Sequence, residues 1–95
     1  MLRISRNNFS EKNVTLLLEG RILNHSIEQL KRMCEDILAH GHQLTLDLSG
    51  VSFVSRKGVS VLHDFERRRV ALASCSVFVA EQLRSKAADV LEREG

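Results

Sequence analysis

Residues 2–6 alternate apolar and polar side chains (Leu2, Arg3, Ile4, Ser5, Arg6). A period of two gives a strand with one buried face, so a short edge strand is expected here. A polar, turn-rich stretch from Asn7 to Asn13 separates it from Val14-Thr15-Leu16-Leu17-Leu18. That run predicts a second strand, antiparallel to the first and ending at Glu19-Gly20. Past Gly20 the period changes. Ile27, Leu30, Met33, Cys34, Ile37 and Leu38 recur every three or four residues and fall on one face of a helix. Ser26 has the chemistry of an N-cap, with Gln29 at capping-box spacing, and Gly41 that of a left-handed helix end. Leu44, Leu46 and Leu48, with Thr45 and Asp47 between them, predict a third strand, which Ser49-Gly50 is expected to break before an extended Val51–Val54 segment. A second helix is expected from near Gly58, with Val61, Leu62 and Phe65 inward and Arg67–Arg69 at its far end. Ser76-Val77-Phe78-Val79 predicts a fourth strand, and Ala80, Leu83, Ala87, Val90 and Leu91 line a last helix.

The order is β-β-α-β-α-β-α. Beyond the first hairpin, strands alternate with helices, which argues βαβ units, parallel pairing and right-handed crossovers. No linker or repeat divides the chain, so residues 1–95 are read as a single domain. Composition narrows the core. The chain is 43% hydrophobic but only 4% aromatic, all Phe, so Leu, Val, Ile and Ala must fill the interior. A net charge of +2 is too mild to imply nucleic-acid binding. Cys34 and Cys75 both sit in apolar patterns and read as two buried free thiols of a reducing compartment. Met1–Arg6 lacks the apolar core of a secretory signal, and no stretch is long enough for a membrane helix, so a cytoplasmic location without membrane insertion is expected.

Three local patterns resemble the STAS domain, the fold of bacterial anti-sigma factor antagonists, over about residues 3–93. Gly20-Arg21-Ile22, followed by Ser26 and Leu30, is similar to the family's Gly-x-Leu-Asp lead-in to its first helix. Leu46-Asp47-Leu48-Ser49-Gly50-Val51-Ser52-Phe53 resembles its Leu-Asp-Leu-Ser-x-Val-x-Phe strand and turn. Gly58-Val59-Ser60-Val61-Leu62 resembles the Gly-Leu-x-x-Leu that opens its second helix. The resemblance implies a four-stranded mixed sheet packed with three helices. It also implies a non-enzymatic, cofactor-free interaction module. The implied partner is an anti-sigma factor of the histidine-kinase-like ATPase class or another STAS protein, and homo-oligomerisation is compatible with this. Two further functions are compatible with the same fold: an accessory subunit docked on the ATPase of a phospholipid-transport ABC system, and a sensor of small anions.

One departure from the family pattern bears on the function. Where the family carries Asp-Ser-Ser/Thr-Gly, with a hydroxyl that a partner kinase phosphorylates, this chain has Ser55-Arg56-Lys57-Gly58. Leu23 likewise stands where an aspartate is usual. A helix N-terminus carries partial positive charge and welcomes anions. Phosphorylation would place up to about two negative charges there. Arg56 and Lys57 place two permanent positive charges there instead, each unfavourable by about 0.3–1 kcal/mol. A local preference broken twice in succession points to another use. The expected partner-binding surface is therefore Ser55, Arg56, Lys57, Gly58, Val59 and Ser60, unswitched at the usual position. Ser55 is the one candidate phosphorylation position, with helix capping the stronger reading of its hydroxyl.

Other chemistry is weaker. His40-Gly41-His42 has no second cluster of ligands to complete a zinc site, and a histidine at a helix C-terminus is favoured by the dipole. His25 and His63 are isolated. Asp47 reads as a hydrogen-bonding residue beneath the strand-to-helix loop. Gly50 and Gly58 stand eight apart without the Gly-Lys-Ser of a phosphate loop. Arg67–Arg69 would span about 200° of a helix, so the three share no flat surface and one is expected to lay its stem over the core edge.

Overall fold

A computed structural model describes residues 2–8 and 10–84. The elements run β1 (Leu2–Asn8), β2 (Asn13–Ile22), α1 (Asn24–Ala39), β3 (Gln43–Val54), α2 (Arg56–Arg67) and β4 (Ala71–Ala73). Residues 77–84 are helical and open a third helix, α3. The expected helix positions Ala87, Val90 and Leu91 lie outside the described residues. The sheet order is β1-β2-β3-β4. β1 pairs antiparallel with β2, from Leu2 against Gly20 to Asn8 against Val14. β2–β3 and β3–β4 are parallel, which makes the sheet mixed.

The alternation read from the sequence sets which face is covered. Val14, Leu16, Leu18 and Ile22 of β2 and Leu44, Leu46, Leu48, Val51 and Val54 of β3 are buried. They form one cluster with Ile27, Leu30, Cys34 and Ile37 of α1 and with Val59, Leu62 and Phe65 of α2. Phe65 is the one aromatic ring in that cluster. Truncating a fully buried residue such as Leu46 to Ala costs about 2–5 kcal/mol.

Three expectations need correction. Ser49-Gly50 does not break the third strand. β3 runs through them by carrying an extra residue against β2 twice, once between Asp47 and Gly50 and once between Val51 and Phe53. Glycine makes this feasible, since a Cβ at position 50 would lie 2.8 Å from Glu19 Cγ and 3.1 Å from the Leu18 carbonyl oxygen. Ser26 does not cap α1. The cap position is Leu23, without a side-chain bond, and Ser26 is buried within the first turn, donating its N–H to the Leu23 carbonyl at 2.9 Å. The fourth strand is Ala71–Ala73, preceded by buried Val70, and not residues 76–79. Ser76 instead starts α3, its Oγ accepting from Val79 N–H at 3.2 Å. Val79 and Leu83, four apart on that helix, enter the core.

Both complete helices end in the same motif. In α1, Gly41 (φ 79°) donates to the Leu38 carbonyl and His42 to that of Ile37. In α2, Arg69 (φ 70°) donates to Glu66 and Val70 to Phe65. These are Schellman ends, which require a left-handed residue after the cap. Glycine adopts that conformation freely, whereas an arginine there costs roughly 1–2 kcal/mol. The basic run is therefore not one helical face: Arg67 is the last helical residue, Arg68 the cap and Arg69 the left-handed residue beyond it.

Candidate interaction surface

The end of β3 delivers the chain to the start of α2 with little freedom. Ser55 N–H donates to the Ile22 carbonyl at 2.8 Å, which ties the turn to the end of β2. Ser55 is the N-cap: its φ and ψ are −68° and 165°, and its Oγ accepts from Gly58 N–H at 3.1 Å. Such a cap contributes about 1 kcal/mol. The helix thus begins at Arg56, two residues before the glycine expected to open it.

Gly58 is where α2 lies against the sheet. A Cβ on it would come 2.8 Å from Val54 Cγ1, 3.0 Å from Ile22 Cγ2 and 3.3 Å from Ser55 Oγ. Close approach of this kind fixes the height of the first turn above the strand ends. It leaves Arg56, Lys57 and Ser60 exposed, Ser55 half-buried, and Gly58 and Val59 buried. Of the six residues expected to form the surface, three therefore face outward, Ser55 is turned in as the cap, and Gly58 and Val59 lie beneath.

The electrostatics of that turn are one-sided. The first turn of α2 contains no acidic residue. Among the described residues, no carboxylate pairs with Arg56 or Lys57. Phe53, just ahead of the turn, is 37% exposed. An acidic, partly apolar surface complements such a patch.

Two side chains that sequence reasoning missed brace this end. Gln82 of α3 reaches the last residue of β3: its Oε1 accepts from Val54 N–H and its Nε2 donates to the Val54 carbonyl, both at 3.0 Å. β4 ends level with Asp47, so among the described residues β3 has no strand neighbour on that side at Val54, and the Gln82 amide takes the place of one. His63 of α2 donates from Nε2 to the Leu83 carbonyl at 2.9 Å, tying α2 to α3. Helical periodicity reports apolar residues, and both of these are polar, so the pattern gave no sign of them.

The remaining sequence candidates have structural partners. Asp47 Oδ1 accepts from Ser49 N–H at 2.9 Å within its own strand. His40 Nδ1 donates to the Asp36 carbonyl at 2.7 Å, as a residue at a helix C-terminus. His40 and His42 stack with centroids 6.3 Å apart. Arg68 pairs with Glu35 and sets its guanidinium 5.5 Å from the Phe65 ring centroid. Cys34 and Cys75 are free thiols; Cys34 is buried, but Cys75 is only half-buried, contrary to expectation. Burial pushes the Cys34 thiol up to about 12.

A family model described as "Mlab, STAS domain" matches residues 5–93. No curated protein matches the chain. Among solved structures, the anti-sigma factor antagonist SpoIIAA in its unphosphorylated form superposes with a TM-score of 0.61 at 16% identity, over 85% of this chain and 82% of that one. At that identity the likeness concerns the fold, and it confirms the β-β-α-β-α-β-α order. Among the described residues, no helix is long and apolar enough to cross a membrane.

Proposed function

The chain belongs to the STAS domain family, and on that premise we propose that it is a non-enzymatic bacterial regulatory module, resembling an anti-sigma factor antagonist, that docks on a protein partner through the first turn of α2. The observation that carries the reading is the pair Arg56 and Lys57: exposed, without carboxylate partners among the described residues, and set on a turn held by Ser55 and Gly58. A rigid support lets a small charged patch recognise a partner without ordering a loop at the moment of binding. The partner it suits is an acidic surface of an anti-sigma factor or related ATPase in the cytoplasm, or another STAS protein. The patch is permanently charged, so binding is unswitched at the usual position, and the Ser55 hydroxyl serves as a cap and not as a phosphate acceptor.

A second reading is favoured by the same permanence. A subunit that stays docked on the ATPase of a phospholipid-transport ABC system needs no switch. Affinity capture from native cytoplasm, with the partner identified by mass, separates the two. In either case Arg56→Asp/Lys57→Ser is expected to abolish recovery of the ATPase; undiminished recovery by the doubly substituted protein overturns the basic-patch reading.

A further inference from the structure

A groove of about 430 Å³ lies at the opposite end of the sheet. Its lining includes Asn13, Gln43 and Ala71, the first residues of β2, β3 and β4, whereas α2 begins where β3 ends. His42, Arg68 and Arg69 also line it, so it collects both Schellman ends: the residue after Gly41 and the left-handed residue of α2 itself. The groove is partly open to solvent.

Arg69 is the informative member. The carbonyl end of a helix attracts cations, but α2 already has Arg67 in its last turn and Arg68 at its cap. Arg69 is a third cation. It has no carboxylate partner among the described residues, and it occupies a backbone conformation that glycine fills at the matching position of α1. A bulky residue held in left-handed conformation marks a place where the side chain is needed. Arg68 beside it is fixed by Glu35 and the Phe65 ring. Around these cations the lining offers the Asn13 and Gln43 amides and the Thr45 hydroxyl, together with the apolar Leu38 and Ala71.

We propose that this groove binds a small soluble phosphomonoester, its phosphate held by Arg69 with Arg68 and His42, and its body against Leu38 and Ala71. Guanidinium forks are well matched to phosphate oxygens. The amides and the hydroxyl orient the ligand. The site is independent of the α2 docking surface.

The test is an amide-shift titration by NMR with phenyl phosphate, and with inorganic phosphate and chloride as comparison anions. It is repeated on Arg69→Gly, a variant whose new residue suits the backbone. Saturable shifts at Gly41–Gln43 and Arg68–Ala71 are expected with phenyl phosphate, with Arg56 and Lys57 amides unmoved. Binding to inorganic phosphate should be weaker. Arg69→Gly should weaken phenyl phosphate binding by about tenfold or more while melting no lower than the parent. Unsaturable shifts, shifts reproduced by chloride, or equal affinity for both phosphates overturn the proposal. So does an Arg69→Gly protein that binds as the parent does or melts at a lower temperature.

Discussion

Replacing Gly58 with alanine tests how closely α2 is seated on the strand ends. Two effects oppose each other. Alanine is a better helix former by about 0.8–1 kcal/mol. Against this, the new Cβ meets Val54 Cγ1 at 2.8 Å, Ile22 Cγ2 at 3.0 Å and Ser55 Oγ at 3.3 Å. None of the three yields easily, since Val54 and Ile22 are fully buried and the Ser55 hydroxyl is engaged as the cap. Inserting a methyl into packing of this kind costs about 1–3 kcal/mol. The clash also pushes on the cap, worth about 1 kcal/mol more if broken. The net expectation is destabilisation by about 1–2 kcal/mol, and each kcal/mol lowers Tm by about 4–8 °C in a chain of this size. Urea melts give the free energy. A Val54→Ala/Gly58→Ala cycle isolates the clash: removing Cγ1 makes room for the new methyl, so the double variant should be more stable than the sum of the single losses predicts, by about 1 kcal/mol. A Gly58→Ala protein as stable as the parent, or an additive cycle, would refute the reasoning that this contact sets the height of the first turn of α2.

Two further outcomes follow from contacts in the same core. Gln82→Ala leaves the Val54 N–H and carbonyl without partners, at about 1–3 kcal/mol for each buried orphan. Hydrogen exchange at the Val54 amide should speed by about tenfold or more, and unchanged exchange would show that the amide bridge contributes nothing. Cys34 should resist alkylation at pH 8 in the folded protein and react once unfolded in guanidinium, because burial raises its thiol from 9.0 to about 12. A raised thiol pKa means that the folded state favours the neutral form. That contribution to stability is complete below the unfolded pKa near 9 and is lost as pH climbs toward the folded value of about 12. Stability should therefore fall across this window by up to about 1.4 kcal/mol per pH unit, and a Cys34→Ala protein should lack that component of the fall.

The parts of the fold readable in the sequence are those that bury a stripe. Leu44, Leu46 and Leu48, and Ile27, Leu30, Cys34 and Ile37, carry their period openly, and each is buried as the period requires. The failures have local causes. Val77–Val79 is β-branched and aromatic enough to look like a strand, yet Ser76 before it and the four-residue spacing of Val79 and Leu83 are helix signals. The true strand, Ala71–Ala73, is too short and too small-sided to announce itself. Ser26 looked like a cap because serine is small and polar, and those same properties let it fit under the first turn. At the interaction surface, the exposed charges and the cap were legible from Ser55-Arg56-Lys57-Gly58. The Gln82 bridge depends on a pairing 28 residues away in sequence, which no local pattern encodes.

That bridge also bears on how the protein meets its own copies. A strand edge without a neighbour invites another chain's backbone to pair with it, and among the described residues the stretch of β3 beyond β4 is such an edge. A glutamine amide satisfies one donor and one acceptor at Val54, yet it belongs to a helix and presents no continuing ladder on its far side. A chain pairing along β3 would find the groups of Val54, the last residue of the strand, already taken by Gln82. Removing that cover frees both groups for another chain, so a Gln82→Ala protein should show faster growth of thioflavin-positive aggregates on prolonged warming than the parent.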